Sequence, residues 1–163
     1  MAARKAAKKK PAKRSAKPAA KKSAPAKQRV SSMAPKVVKT GKGPAPADVA
    51  REFIALIRAG KADEAEKTWL APGIESVEGV GASMAWRGKK AVQAKYRAWE
   101  ADHEVHRMSV DGPWIGATGF ALRFAVDATQ LSTGQRMEME EIAVYTVRDG
   151  KVVREEFHFA LPT

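Results

Sequence analysis

A run of alternating residues, MEMEEIAVYTV, singles out the carboxylate in this chain best placed to do chemistry. In an extended strand Met137, Met139, Glu141, Ala143, Tyr145 and Val147 share one face, and Glu138, Glu140, Ile142, Val144 and Thr146 the other. Glu141 is the lone acid of the more apolar set. Buried there, its carboxyl would be driven toward neutrality by desolvation, which is how a general acid or base is tuned. The alternative is an ion pair with Arg123 or Arg154 that only holds the fold. The three histidines offer less. His103 and His106 lie three apart in HEVH, so a regular strand points them to opposite faces and one metal ion cannot take both. His106 shares the side of Met108 and Val110, the expected inner side, whereas His158 alternates with Phe157 and Phe159.

Other chemistries are excluded by composition. The chain has no Cys, which removes disulfides, thiolate metal sites and Cys nucleophiles, and fits a reducing compartment. The stretch GVGAS lacks the Lys and the strand–loop–helix setting of a phosphate-cradling loop. No Gly-x-Ser-x-Gly elbow is present. No metal or cofactor is expected.

The elements that must position these side chains can be read from periodicity. DVAREFIALIRAG predicts a first helix with Val49, Phe53, Leu56 and Ile57 on one stripe, stopped by Gly60. DEAEKTWL predicts a short second helix capped by Asp63 and ended by Pro72-Gly73, followed by a brief strand from Ile74 to Val80 and a small-residue loop. KKAVQAKYRAWEA predicts a third helix with Val92, Tyr96 and Trp99 inward. The period then changes to two: a strand over His103–Val110, a turn at Asp111-Gly112-Pro113, and a long strand from Trp114 to Leu131. In that long strand Phe120, Leu122, Phe124 and Val126 face inward. Ser132-Thr133-Gly134 turns the chain, and Asp149-Gly150 is a two-residue hairpin signal before KVVREEFHF. Three helices followed by four hairpin-linked strands predict an α+β domain over residues 47–163. Ile142 and Val144 on the outer face suggest an interface between two copies.

Residues 1–46 read differently. The first 47 residues hold fifteen Lys and Arg and no Asp or Glu, while the whole chain holds 30 and 18, so the rest carries a net charge of −3. Built from Lys, Ala, Pro and Ser, this tail cannot bury enough apolar surface to order itself. A flexible polycation binds polyanions by counterion release, and Lys8, Lys9, Lys10, Lys13, Arg14, Lys21 and Lys22 are the candidate contacts. Without aromatic residues there, nucleic-acid contact would be independent of sequence. The composition resembles linker-histone tails. A solvated extension, or a start at Met33, remains the plainer alternative. No secretory apolar region and no span of about 20 apolar residues is present, so a cytoplasmic protein is expected, drawn to the nucleoid if the tail binds DNA.

The helical opening, the Trp-x-Gly-x-x-Ala-Val segment from Trp86, HEVH, and the run FALRFAVDAT…TGQRMEMEEIAVYTVRDGKVVREEFHF together resemble SnoaL-like proteins. These belong to the nuclear transport factor 2-like superfamily, which also holds ketosteroid isomerase and polyketide cyclases. The resemblance covers about Asp48–Phe159. It implies a cone-shaped α+β barrel, with three helices packed in a curved antiparallel sheet around an apolar pocket, and homodimers formed through the outer sheet face. It also implies that the strand after the second helix supplies a proton-shuttling carboxylate, for which Glu78 is a closer match than Glu75, and it sets His103 near the pocket mouth. Glu78, His103 and Glu141 are then the candidate catalytic residues. Phe53, Trp86, Tyr96, Trp99, His106, Phe120, Phe124 and Tyr145 are the candidate pocket. Phe53 stands where the isomerases carry a Tyr hydroxyl. The expected function is binding of a small apolar or carbonyl compound, with cofactor-free isomerase, cyclase or hydratase chemistry open. The alternative is a non-catalytic dimerisation module for a nucleic-acid-binding tail.

Overall fold

The computed structural model describes residues 41–79 and 83–159. The seven candidate polyanion contacts and Met33 lie outside the described residues. Among the described residues three helices, α1 (Pro46–Arg58), α2 (Ala62–Trp69) and α3 (Lys89–Asp102), accompany six strands. These are β1 (Leu70–Glu78), β2 (Met84–Arg87), β3 (His103–Ile115), β4 (Gly119–Gln130), β5 (Gln135–Arg148) and β6 (Lys151–Phe159).

Helix α1 begins at a proline, where a missing N–H costs nothing, with Asp48 in its first turn and Arg58 in its last to oppose the helix dipole. Its buried stripe is Val49, Ala50, Phe53, Ile54 and Ile57. Helix α3 is anchored by Val92, with Tyr96 and Trp99 packed more loosely against the core.

The strands form one sheet in the order β2-β1-β6-β5-β4-β3. This corrects the expected barrel. The sheet is open, neither closed nor strongly curled, with β2 and β3 as its edges. Nor is it wholly antiparallel, because β1 runs parallel to β6, with Ser76 opposite Glu155 and Val77 opposite Glu156. Hairpin signals reach only neighbours in sequence, and nothing local sets the direction in which strands some eighty residues apart will meet.

Three boundaries also differ. The loop before Trp86 contains strand β2, paired with β1 from Glu78↔Met84 to Glu75↔Arg87. Asp111-Gly112-Pro113 is a register irregularity within β3 rather than a turn. The chain reverses after Ile115, where Gly116 donates its N–H to the Gly119 carbonyl at 2.8 Å. Gly119 has to be glycine, since a Cβ there would collide with the Tyr145 carbonyl oxygen. The Asp149-Gly150 hairpin is as expected, both residues having the positive φ of a type I′ turn (50° and 71°).

The inner sheet face carries the core. Phe120, Leu122, Phe124, Val126 and Ala128 of β4 are buried, as are Ala143, Tyr145 and Val147 of β5 and Val152 and Phe157 of β6. Phe53 meets Phe120 and Tyr145 at centroid distances of 5.8 and 5.1 Å, and Phe120 stacks on Tyr145 at 4.8 Å. A side chain such as Leu122, buried completely, contributes about 2 kcal/mol through area removed from water.

The outer face is a lattice of ion pairs. Arg123 bridges Asp111 and Glu140, Arg154 bridges Glu75 and Glu156, and Arg136 grips Asp127 with two bonds of 2.8 Å. Among these charges Trp114, Ile142 and Val144 stand exposed.

Candidate functional site

A cavity of about 260 Å³ lies between the helices and the inner face of the sheet. Phe53 and Ile57 of α1, Tyr96 and Trp99 of α3, Phe124 and Val126 of β4, Tyr145 of β5 and the Phe157–Phe159 pair of β6 make its walls apolar. Its polar groups are few and mostly carboxylates: Glu66, Glu78, Glu100 and Glu141, with Lys95.

Lys95 organises one end. Helical spacing sets it on the inner side of α3, three residues after Val92 and beside Tyr96. Its ammonium donates to Ser76 Oγ at 2.9 Å and Glu78 Oε2 at 3.3 Å, and lies 3.9 Å from Glu155 Oε1. Three rings surround the same nitrogen, with centroids at 5.3 Å (Trp86), 4.7 Å (Tyr96) and 4.3 Å (Phe157). Ser76 and Glu78 alternate inward along β1 with Ile74, and Glu155 alternates inward along β6 with Phe157.

Glu155 is fully buried. Its Oε1 accepts a hydrogen bond from the Tyr96 hydroxyl, while its Oε2 has no partner among the described residues. Burial pushes the Glu155 carboxyl up, against the lowering pull of the Tyr96 hydroxyl and Lys95. Burial and the neighbouring Glu155 also raise the Tyr96 and Tyr145 phenols well above their usual range. Both remain neutral O–H donors.

Glu141 has a different setting. Paired across the sheet with Phe124 on one side and Phe159 on the other, it enters the cavity between two aromatic residues. Arg123 and Arg154, the alternative ion-pair partners for Glu141, are engaged on the outer face. Burial raises the Glu141 carboxyl to about 7; Glu78 and Glu155 add to the rise and Lys95 opposes it. Here, then, is a carboxyl able to hold or release a proton near neutral pH, facing a small apolar space beside a fixed ammonium.

Of the eleven candidate catalytic and pocket residues, Glu78, Glu141, Phe53, Tyr96, Trp99, Phe124 and Tyr145 line the cavity. Phe120 lies in the packed layer against Phe53 and Tyr145, and Trp86 stands behind Lys95. His103 closes the end of α3: its Nδ1 donates to the Trp99 carbonyl at 2.8 Å and its ring stacks on Trp99 at 4.4 Å. His106 bonds Thr129 Oγ1 at 2.8 Å on the outer side. The cause is a bulge, since Val105 pairs with Ala128 and Arg107 with Asp127, leaving His106 as the extra residue. Facing reverses there, and the inward positions of β3 resume at Met108 and Val110.

Sequence reasoning missed Lys95 and Glu155. Both signals were available. Lys95 lies on the same helical stripe as Val92 and Trp99, and Glu155 precedes Phe157 by two on the apolar face of β6. A lysine and a glutamate on apolar faces of two elements are a pair waiting to meet.

A family model described as a SnoaL-like domain matches residues 45–159. The chain belongs to the SnoaL-like family. A SnoaL-like solved structure from Mesorhizobium loti, which carries the provisional names polyketide cyclase and carbohydrate phosphatase, is 38% identical with a TM-score of 0.66. That match covers 69% of this chain and 97% of the other. A nuclear transport factor 2-like protein from Burkholderia thailandensis shares 18% identity over 72% of this chain and 92% of its own, with a TM-score of 0.62. A provisional SnoaL-like polyketide cyclase from Jannaschia sp. CCS1 shares 14% over 72% and 89%, with a TM-score of 0.59. These last two show the SnoaL-like fold and carry no chemistry. No curated protein matches the chain. Among the described residues no group of three His, Asp or Glu side chains could hold a metal ion, and no helix is long and apolar enough to cross a membrane.

Proposed function

We propose that this SnoaL-like domain binds a small, largely apolar compound and exchanges a proton with it through Glu141, in cofactor-free chemistry of the isomerase, cyclase or hydratase kind. The observation that supports this most is a single one. Glu141 is the cavity carboxylate without an ion pair among the described residues, and its pKa of about 7 suits both halves of a proton transfer. In a bound carbonyl compound Glu141 would take the proton from the carbon beside the carbonyl. The Lys95 ammonium or the Tyr96 hydroxyl would steady the charge that develops on oxygen. Glu78 would act by holding Lys95, a positioning role rather than proton transfer. His103 and His106 have structural work in this reading.

The test is hydrogen exchange. Small cyclic ketones incubated with the protein in heavy water should gain deuterium beside the carbonyl, at a rate that rises with an apparent pKa near 7. Glu141→Gln should reduce that rate by about 10²-fold or more, the usual worth of a positioned general base. Exchange no faster with wild type than with Glu141→Gln would overturn the proposal.

A second reading has its own observation. Trp114, Ile142 and Val144 are exposed on the outer sheet face, 55%, 39% and 41% accessible, where a second copy would cover them. Pairing would double the polycationic tail and add avidity for nucleic acid. Gel shifts at two salt concentrations, with and without residues 1–42, test it: binding that survives truncation rules out the tail.

A further inference from the structure

The carboxylates around the cavity outnumber its cations, and the excess says what charge a ligand can bring. Lys95 is matched twice, by Glu78 at 3.3 Å and Glu155 at 3.9 Å. On the α2–α3 side, Glu66 and Glu100 share Arg97 at 3.4 and 3.1 Å. Among the described residues Glu141 is left without a cation of its own. An anionic ligand would add charge to a site already in excess of it, and a neutral one would leave Glu141 with its desolvation cost intact. A cation with N–H groups to donate offsets that cost.

We propose that the cavity takes a small apolar amine, bound as its ammonium ion, with N–H groups donated to the Glu141 carboxylate and hydrocarbon against Trp99, Phe124 and Phe159. This rests on reading the cavity as a ligand site, and not on turnover there. The molecule already holds one ammonium in the same manner, since Lys95 sits among three rings at 4.3 to 5.3 Å with carboxylates beside it. Around Glu141 the ingredients repeat, with Phe124 and Phe159 as its cross-strand neighbours. Size limits the ligand. At about 260 Å³ the cavity falls just below the ~300 Å³ at which pockets for drug-sized molecules begin, so a single ring or a short branched chain fits.

Charge balance also predicts a pH response. The titratable groups that share the cavity with Glu141 or lie beside it are Glu78 from β1, Lys95 and Tyr96 from α3, Glu155 from β6 and Tyr145 on its own strand. Glu66 and Glu100 line the α2–α3 side, and α1, β3 and β4 contribute only apolar side chains. As pH rises through about 7 Glu141 ionises, while an alkylammonium stays charged to ~10. Affinity for an amine must therefore increase with pH, and affinity for a neutral analogue must not.

Cyclohexylamine, cyclohexanol and cyclohexanecarboxylate, titrated into the full chain at pH 5.5 and 8.5 and mapped by NMR, separate the possibilities. The amine should bind about tenfold or more tightly at pH 8.5 than at 5.5. At pH 8.5 it should exceed the alcohol by a similar factor, and the carboxylate should not enter the cavity. Glu141→Gln should erase the amine's pH dependence and its advantage, whereas Glu141→Asp, which keeps the charge, should retain both. An alcohol that binds as tightly as the amine, or an advantage that survives in Glu141→Gln, overturns the amine while leaving the cavity a ligand site. Failure of all three probes to bind overturns both.

Discussion

Glu140 and Glu141 are adjacent in sequence and live in different solvents. Glu140 faces out from β5 and pairs with Arg123, which also holds Asp111, in a lattice of charges bathed by water. Glu141 faces the cavity between Phe124 and Phe159, and its carboxyl is raised to about 7. The same chemical group is thus surface decoration at one position and a candidate proton carrier one residue later. The difference lies in the pleat: one step along a strand exchanges bulk water for a site where an unpaired charge is costly.

The comparison can be broken most forcefully at Lys95. Lys95→Met should destabilise the domain by about 3–5 kcal/mol at pH 8, because the fully buried Glu155 and the half-buried Glu78 would be left without their cation. Denaturant midpoints should show the deficit shrinking as pH falls, because burial already pushes the Glu155 carboxyl up and it can take a proton. Next in size is Glu141→Gln, with the opposite sign. A folded pKa of about 7, above the unfolded value near 4.5, means the native state binds the proton more tightly, so the charge costs stability as pH rises. The cost grows between about pH 4.5 and 7 and is constant above. Glu141→Gln should therefore gain up to about 3 kcal/mol at pH 8 and almost nothing at pH 4.5. Paired urea titrations at the two pH values measure it, and equal effects at both would remove the contrast between the two faces. Ile142→Asp, on the outer face, should lower the mass measured by light scattering if two copies pair there, with a small fall in melting temperature as that stabilisation is lost. Glu140→Gln should be the smallest perturbation, with no measurable change in midpoint at either pH, since its ion pair is exposed on both sides.

Much of this was legible in the residues. The inward sets of β4 and β5 followed from strict alternation, because a strand with one wet and one dry face has no other way to distribute Phe120, Leu122 and Phe124 against Arg123. Glu141 was found by the same rule. What failed was anything requiring distance. The parallel meeting of β1 with β6, and the strand order that leaves β2 and β3 as edges, depend on residues far apart in sequence. The bulge that turns His106 outward has no side-chain signature in HEVH. Lys95 went unnoticed because a lysine on a helix is expected to reach water. Here its stem runs along the core and its ammonium ends among carboxylates and rings.

The parallel pairing of β1 with β6 bears on when the cavity can exist. Glu78 precedes Lys95 in the chain and Glu155 follows it by 60 residues, so Lys95 is made well before one of its counterions. A ribosome-bound chain stopped before Lys151 lacks the strand that lies between β1 and β5. Such a nascent chain would have two unjoined half-sheets and no binding competence, and the site would snap into being only as β6 slots between them.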